Sequence, residues 1–124
     1  MPVLLAVALG GALGSLARYG ADRLIERRSF SIFPWSTFTI NATGCLLIGV
    51  VIAALADRHH TPTWIRTGLV MGVLGGYTTF STFAQEGLSL FEDGKGGVAL
   101  AYMLGSVAIG LLAVYAGARL GRLL

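Results

Sequence analysis

Residues 75–86 have the sequence GGYTTFSTFAQE and lie in the middle of a long apolar stretch. Two glycines, three threonines, a serine, a glutamine and a glutamate suit a lipid-exposed helix poorly, because polar groups at membrane depth need partners. Glycine tolerates unusual dihedral angles, and the hydroxyl groups can bond backbone groups that a break would free. This stretch therefore predicts a membrane helix that is interrupted near its middle.

The composition of the whole chain predicts an integral membrane protein. Of its 124 residues, 55% are hydrophobic and 12% are charged. A bilayer core about 30 Å thick needs roughly 20 apolar helical residues for each crossing. Windows 3–21, 38–56 and 98–118 meet that length, whereas 65–91 is too long for one straight crossing and contains the interruption. We predict an all-α membrane protein, a single domain of residues 1–124, with four transmembrane helices and the third broken.

The basic residues divide almost evenly between the two membrane faces. Four crossings put both termini on one side, so the nine Lys and Arg residues split into five and four. A clear excess in the cytoplasmic loops normally sets orientation. We therefore expect copies to insert in both orientations and to pair as an antiparallel homodimer. One face carries Arg18, Arg23, Arg27, Arg28 and Lys95; the other carries Arg58, Arg66, Arg119 and Arg122.

Small residues spaced four apart predict close helix packing. Such spacing lets helix backbones approach each other in lipid. A four-helix chain packed in this way leaves no room for a wide pore, so a conduction path would be narrow or would lie between chains. The residues concerned are Gly10 and Gly14, then Gly68, Gly72 and Gly76, and finally Ser106 and Gly110.

The polar groups within the spans are neutral. No Asp, Glu, Lys or Arg lies in the centre of the first, second or fourth span, which argues against a proton-coupled transporter. The threonines of the second span can bond back to carbonyls of the preceding turn. The Asn41 amide has no such local partner, which favours an interhelical bond or a ligand contact. The hydrogen-bonding residues are Thr37, Thr39, Asn41 and Thr43 in the second span, and Tyr102 and Ser106 in the fourth.

Phe80, Phe83 and Glu86 are spaced by three and share one side of the second half of the broken helix. Aromatic rings have electropositive edges, so rings presented edge-on can line a path for an anion without binding it strongly. Packing in the core or against lipid is the alternative, and spacing alone favours that alternative.

Residues 36–49, STFTINATGCLLIG, together with residues 75–86, resemble the CrcB/Fluc family of bacterial fluoride channels. The likeness covers essentially the whole chain. It implies a dual-topology homodimer in the bacterial inner membrane, with two antiparallel pores that export fluoride passively. It also implies that the chain is not an enzyme and has no nucleic-acid partner.

The resemblance also assigns roles to individual residues. It places the pore asparagine at Asn41 and the phenylalanine pair at Phe80 and Phe83. Arg18 matches an arginine near the vestibule. A structural sodium ion, the one cofactor implied, falls on the backbone carbonyls of Gly75 and Thr78. The polar track falls on Thr37, Thr39, Thr82, Tyr102, Ser106 and Glu86.

Two positions depart from the family pattern. Ser36 stands where a glycine is expected, and Gly110 stands where some members have a second track serine. The second departure puts the continuity of the polar track in question.

Two other functions remain open from the residues alone. A small dual-topology drug or cation exporter would need a membrane-embedded carboxylate in the first helix, and no carboxylate precedes Asp22 there. A non-transporting membrane assembly subunit would use the glycine faces for packing and Asn41 as an interhelical bond.

Overall fold

The computed structural model describes residues 2–56 and 58–124, and its regular elements are all helical. Three helices, α1 (Val3–Glu26), α2 (Trp35–Ala56) and α6 (Gly96–Gly121), are long and apolar enough to cross a membrane. Only 11–17% of the residues in their most apolar windows are buried inside the chain. The chain is therefore a multi-pass membrane protein whose helices need lipid or another chain around them.

The third membrane segment consists of two half-helices. The first half-helix, residues 63–77, contains α3 (Thr63–Thr67), a π-helical segment (Gly68–Leu74) and α4 (Gly75–Tyr77); the second is α5 (Phe80–Glu92). Between them, Thr78 and Thr79 are extended, with ψ angles of 161° and 120°. The predicted interruption is confirmed.

The Thr79 side chain begins the second half-helix. Its Oγ1 accepts a hydrogen bond from the Thr82 amide at 3.3 Å. This contact is an N-cap, which satisfies one of the amide groups that the first turn of a helix leaves free.

The helices extend beyond the predicted spans at several ends. α1 continues to Glu26 rather than residue 21, and α2 begins at Trp35 rather than residue 38. α6 covers Gly96–Gly121 rather than 98–118. Apolarity marks the part of a helix that lies in lipid, whereas backbone hydrogen bonding continues into charged turns at the membrane surface.

Glycine packing joins α1 to the first half-helix. A Cβ atom at Gly14 would overlap the Val73 carbonyl oxygen, and one at Gly76 would lie 2.7 Å from the Gly11 carbonyl oxygen. Only residues without a side chain allow the two backbones to approach so closely. The predicted role of the glycine series in close packing is confirmed here.

A second glycine contact, between α2 and α6, was not predicted. A Cβ atom at Gly49 would overlap the Val114 carbonyl oxygen, and one at Gly117 would overlap that of Leu46. Gly117 and Gly121 are four residues apart, so the spacing that identified the other faces was present in the sequence. Because α2 holds Asn41 and α6 holds Tyr102, this contact fixes the position of these two polar side chains relative to each other.

The C-terminus and the loop after α2 lie at the same end of the molecule. An Arg58 guanidinium nitrogen donates to the Leu124 carbonyl oxygen at 3.2 Å, and one from Arg66 donates to that of Leu55 at 2.9 Å. This arrangement agrees with two membrane crossings between that loop and the C-terminus.

Candidate functional site

Asn41 joins α2 to the break in the third segment. Its Nδ2 donates to the Thr79 carbonyl oxygen at 2.9 Å, and its Oδ1 accepts from the Thr79 amide at 2.8 Å. The side-chain amide thus pairs with the main chain as a neighbouring strand would. Of the two roles that the sequence favoured for Asn41, a bond between α2 and another segment is present, and the second Nδ2 hydrogen is left for another acceptor.

Tyr77 holds the other side of the break against α2. The Thr43 hydroxyl donates back to the Thr39 carbonyl oxygen at 2.8 Å, as one interpretation of the threonines expected. The Tyr77 hydroxyl lies 2.9 Å from Thr43 Oγ1 and therefore acts as the donor to it. A Cβ atom at Gly44 would overlap Thr78 Cγ2, so the bare glycine lets the break reach α2.

Glu86 joins α5 to α2 and α6. Thr37 Oγ1 donates to Glu86 Oε1 at 2.9 Å, and the Tyr102 hydroxyl donates to Glu86 Oε2 at 2.7 Å. Thr37 is 3% exposed and Tyr102 is fully buried, whereas Glu86 is half-buried. Both carboxyl oxygens therefore have a hydroxyl donor, as buried polar atoms normally do. Three residues that the resemblance assigned to the polar track meet at this point.

The two phenylalanines continue from this group towards the break. The ring centroids of Phe80 and Phe83 are 5.6 Å apart with planes inclined at 43°, and Phe83 lies 5.2 Å from the Tyr102 ring. Phe83 packs against the cluster of Leu90, Ala99 and Tyr102. Phe80 is 78% exposed and so is not a core residue of this chain. We call Phe80, Phe83 and Tyr102 the aromatic row.

The remaining polar-track candidates lie apart from Glu86. Thr82 is exposed, and its Oγ1 accepts a hydrogen bond from Thr79 Oγ1 at 3.0 Å. The Thr39 side chain is half-buried on α2. The Ser106 hydroxyl oxygen is buried and has no hydrogen-bond partner among residues 2–56 and 58–124. Within the described chain, no hydrogen bond connects these three side chains to Glu86.

A cavity of about 360 Å³ lies beside the break. It is formed by α2, the two half-helices and α6, and most of its wall is apolar. Phe80 and Phe83 of the aromatic row therefore border a space large enough for small solutes, and Asn41 lies in its wall. Its wall includes Asn41, Cys45, Gly75, Phe80, Phe83 and Ser106.

Arg18 lies at the break. Its Nη1 donates to the Thr78 carbonyl oxygen at 3.3 Å, so the cation of α1 reaches a main-chain oxygen that the resemblance assigned to sodium.

The main-chain oxygens at the break fit a hard monovalent cation. The Thr79 amide, which would bond the Gly75 carbonyl in a continuous helix, is bonded to Asn41 instead. The Thr78 carbonyl keeps a second lone pair beside its bond from Arg18, although that guanidinium adds a competing positive charge. Carbonyls at the C-terminal end of a half-helix also carry its negative dipole end.

The two departures from the family pattern have structural partners. Ser36 Oγ donates to Asp22 Oδ1 and so joins the end of α1 to the start of α2. Gly110 faces Cys45, because a Cβ atom at Gly110 would lie 3.4 Å from the Cys45 sulfur.

Fold and site together define a small multi-pass membrane protein built around a broken helix and an aromatic row. The family model described as CrcB-like protein, Camphor Resistance (CrcB), matches residues 5–118. The chain belongs to this family.

Individual relatives are similar over nearly their full length. The chain is 48% identical over 120 residues to the fluoride-specific ion channel FluC of Paracoccus denitrificans, covering 95% of this chain and 93% of that protein. It is 46% identical over 117 residues to the protein of that name from Thermus thermophilus, with coverages of 94% and 93%. The protein of that name from Chloroflexus aurantiacus is 44% identical over 119 residues, with coverages of 96% and 94%.

Proposed function

We propose that this chain is a fluoride channel that passively exports fluoride across the bacterial inner membrane. Its relatives are named fluoride-specific ion channels, and they match it over more than nine-tenths of its length. A channel catalyses no covalent chemistry, so the site residues act by binding and positioning rather than as enzyme groups.

The observation that carries this proposal is the aromatic row ending at Glu86. Ring edges attract an anion weakly, so an ion can enter such a row without being trapped. At its end, the hydroxyl groups of Thr37 and Tyr102 are donors that can turn from Glu86 towards a passing ion. The fixed dipoles would replace part of the water that a small anion loses in a narrow path.

Fluoride efflux from liposomes tests the proposal. Vesicles loaded with potassium fluoride and containing the purified protein are expected to release fluoride when valinomycin carries the potassium, as measured with a fluoride electrode. Chloride-loaded vesicles serve as the control and should retain their anion. A small exporter would instead show proton-coupled substrate uptake, and an assembly subunit would show neither flux.

We further propose that two chains pair in antiparallel orientation and complete two pathways. The near-equal division of basic residues supports insertion in both orientations. Phe80 projects from the chain with 78% of its surface exposed, which leaves one side of the aromatic row without a wall. A second copy would supply that wall.

A structural sodium ion at the dimer centre completes the proposal. The Gly75 and Thr78 carbonyls of both chains would supply oxygen ligands, which suit a hard cation. When bound, the ion would offset the negative ends of the two first half-helices and hold the breaks together.

Gly75→Val is expected to weaken dimerisation about tenfold or more while leaving the chain folded, because overpacking an interface costs about 1–3 kcal/mol. Within the chain, a Cβ atom at Gly75 meets only the Val70 carbonyl oxygen at 3.7 Å, so the added side chain has room there. Dilution in detergent, followed by light scattering and circular dichroism, measures both effects.

Gly105→Val is the matched control, because a Cβ atom at Gly105 meets nothing within 4 Å. If the Gly75→Val dimer dissociates at the same dilution as the Gly105→Val dimer, Gly75 lies outside any interface between chains.

A further inference from the structure

Cys45 lies in the wall of the cavity that Phe80 and Phe83 border. Asn41, Phe80, Phe83 and Ser106 belong to the same wall. Cys45 is half-buried and forms no disulfide, since the chain has a single cysteine. Its sulfur therefore shares a space with residues to which the proposed function assigns contact with the anion.

The Cys45 sulfur lies next to Gly110 of α6. Tyr102, Ser106 and Gly110 follow one another at intervals of four residues on α6, so they lie along one side of that helix. The hydroxyl series on this side stops at Ser106, because Gly110 has no side chain. A Cβ atom at Gly110 would lie 3.4 Å from the Cys45 sulfur, so α2 supplies a polarisable group where α6 supplies none.

The Ser106 hydroxyl independently points to a ligand in this space. Its oxygen is buried and lacks a hydrogen-bond partner among residues 2–56 and 58–124, although Ser106 lines the cavity. A buried hydroxyl group normally has a hydrogen-bond partner, because burial removes the bonds that it would make with water. A transient anion in the cavity would accept its hydrogen.

We propose that the Cys45 thiol lines the anion pathway and continues the row of donors beyond Ser106, at the turn where Gly110 leaves a gap. A thiol is a weak hydrogen-bond donor, so it attracts an anion without holding it. This inference rests on the proposed fluoride channel. It makes Cys45 a site at which a small thiol reagent should close the pathway.

Methyl methanethiosulfonate provides the test on the full-length protein in liposomes. The Cys45 thiolate attacks the sulfenyl sulfur, forms a mixed disulfide carrying a methylthio group, and releases methanesulfinate. We expect fluoride efflux to fall about tenfold or more, since the added group would occupy the space beside Gly110 that the anion must cross. Dithiothreitol should reverse the block, and intact-mass measurement should show one added methylthio group per chain.

Two variants separate a donor from a packing residue. Cys45→Ala removes the thiol and should be insensitive to the reagent, with slower basal efflux. Cys45→Ser keeps a donor, should also be insensitive to the reagent, and should conduct about threefold or more faster than the alanine variant.

Complete modification that leaves fluoride efflux unchanged would overturn the inference, as would a conducting protein whose Cys45 never reacts. Equal basal efflux in the alanine and serine variants would show that the Cys45 thiol acts only in packing. Failure of the unmodified protein to conduct fluoride at all would instead overturn the proposed channel function, and the inference with it.

Discussion

Fluoride efflux through Phe80→Ile is expected to be about tenfold slower or more than through the parent protein, because isoleucine keeps bulk but lacks the electropositive ring edge. The chain should remain folded, since Phe80 is 78% exposed and contributes little to its core. Efflux from liposomes at matched protein density measures the first effect. Thermal unfolding of the detergent-solubilised protein measures the second.

Phe80→Met should retain more flux than Phe80→Ile, because its thioether is polarisable. Leu88→Ile is a matched control on the same helix, at a side chain that is 58% exposed, and should conduct at the parent rate. Phe83→Ile should also slow efflux, but it removes a ring that packs on Tyr102 and so changes stability as well. Parent-like efflux in both isoleucine variants would assign the two rings to packing alone.

Asn41→Asp is expected to abolish most fluoride efflux and to destabilise the break. In the parent, Nδ2 donates to the Thr79 carbonyl oxygen, whereas an ionised aspartate would present a second acceptor there. Leaving such a buried carbonyl without its donor costs about 1–3 kcal/mol. Each Glu86 oxygen accepts a bond from a hydroxyl group, whereas an ionised aspartate at this position would leave one oxygen without a donor and would repel the anion. Liposome flux and thermal unfolding should both report the change.

Asn41→Ala separates the two causes. It removes both hydrogen bonds to Thr79 but adds no charge, so it should lose stability and yet conduct better than the aspartate variant. Variants that are equally destabilised and equally slow would show that geometry alone accounts for the loss. An aspartate variant conducting at the parent rate would remove Asn41 from the pathway.

The fold was predictable because its determinants are local. Apolar length predicted α1, α2 and α6, the three helices that are long enough to cross a membrane, and the small and hydroxyl residues at 75–82 predicted the interruption between α2 and α6. Helix ends were less predictable from apolar length. α1 continues through Asp22 to Glu26, because backbone hydrogen bonds form equally well between charged residues once the helix has left the lipid.

The site was predictable only where side chains share one helix or match the family motif. Spacing by three placed Phe80 and Phe83 together, and the resemblance selected Thr37, Glu86 and Tyr102 before their meeting was visible. The remaining contacts depend on how separate helices dock, which no local pattern encodes. The bond from Tyr77 to Thr43 and the one from Arg18 to Thr78 are of this kind.

The π-helical segment Gly68–Leu74 has a consequence for how this architecture tolerates change in length. Its backbone hydrogen bonds join residues five apart rather than four apart, so each turn contains more residues than a turn of α-helix. An extra residue can therefore be included with little increase in the length of the half-helix. Each residue of an α-helix turns the chain by about 100°, so loss of one residue here would swing Tyr77 and Thr78 away from α2. The segment therefore sets the rotation of the following residues about the helix axis. A one-residue insertion or deletion in it would turn the break towards a different neighbour without changing any residue that lines the break.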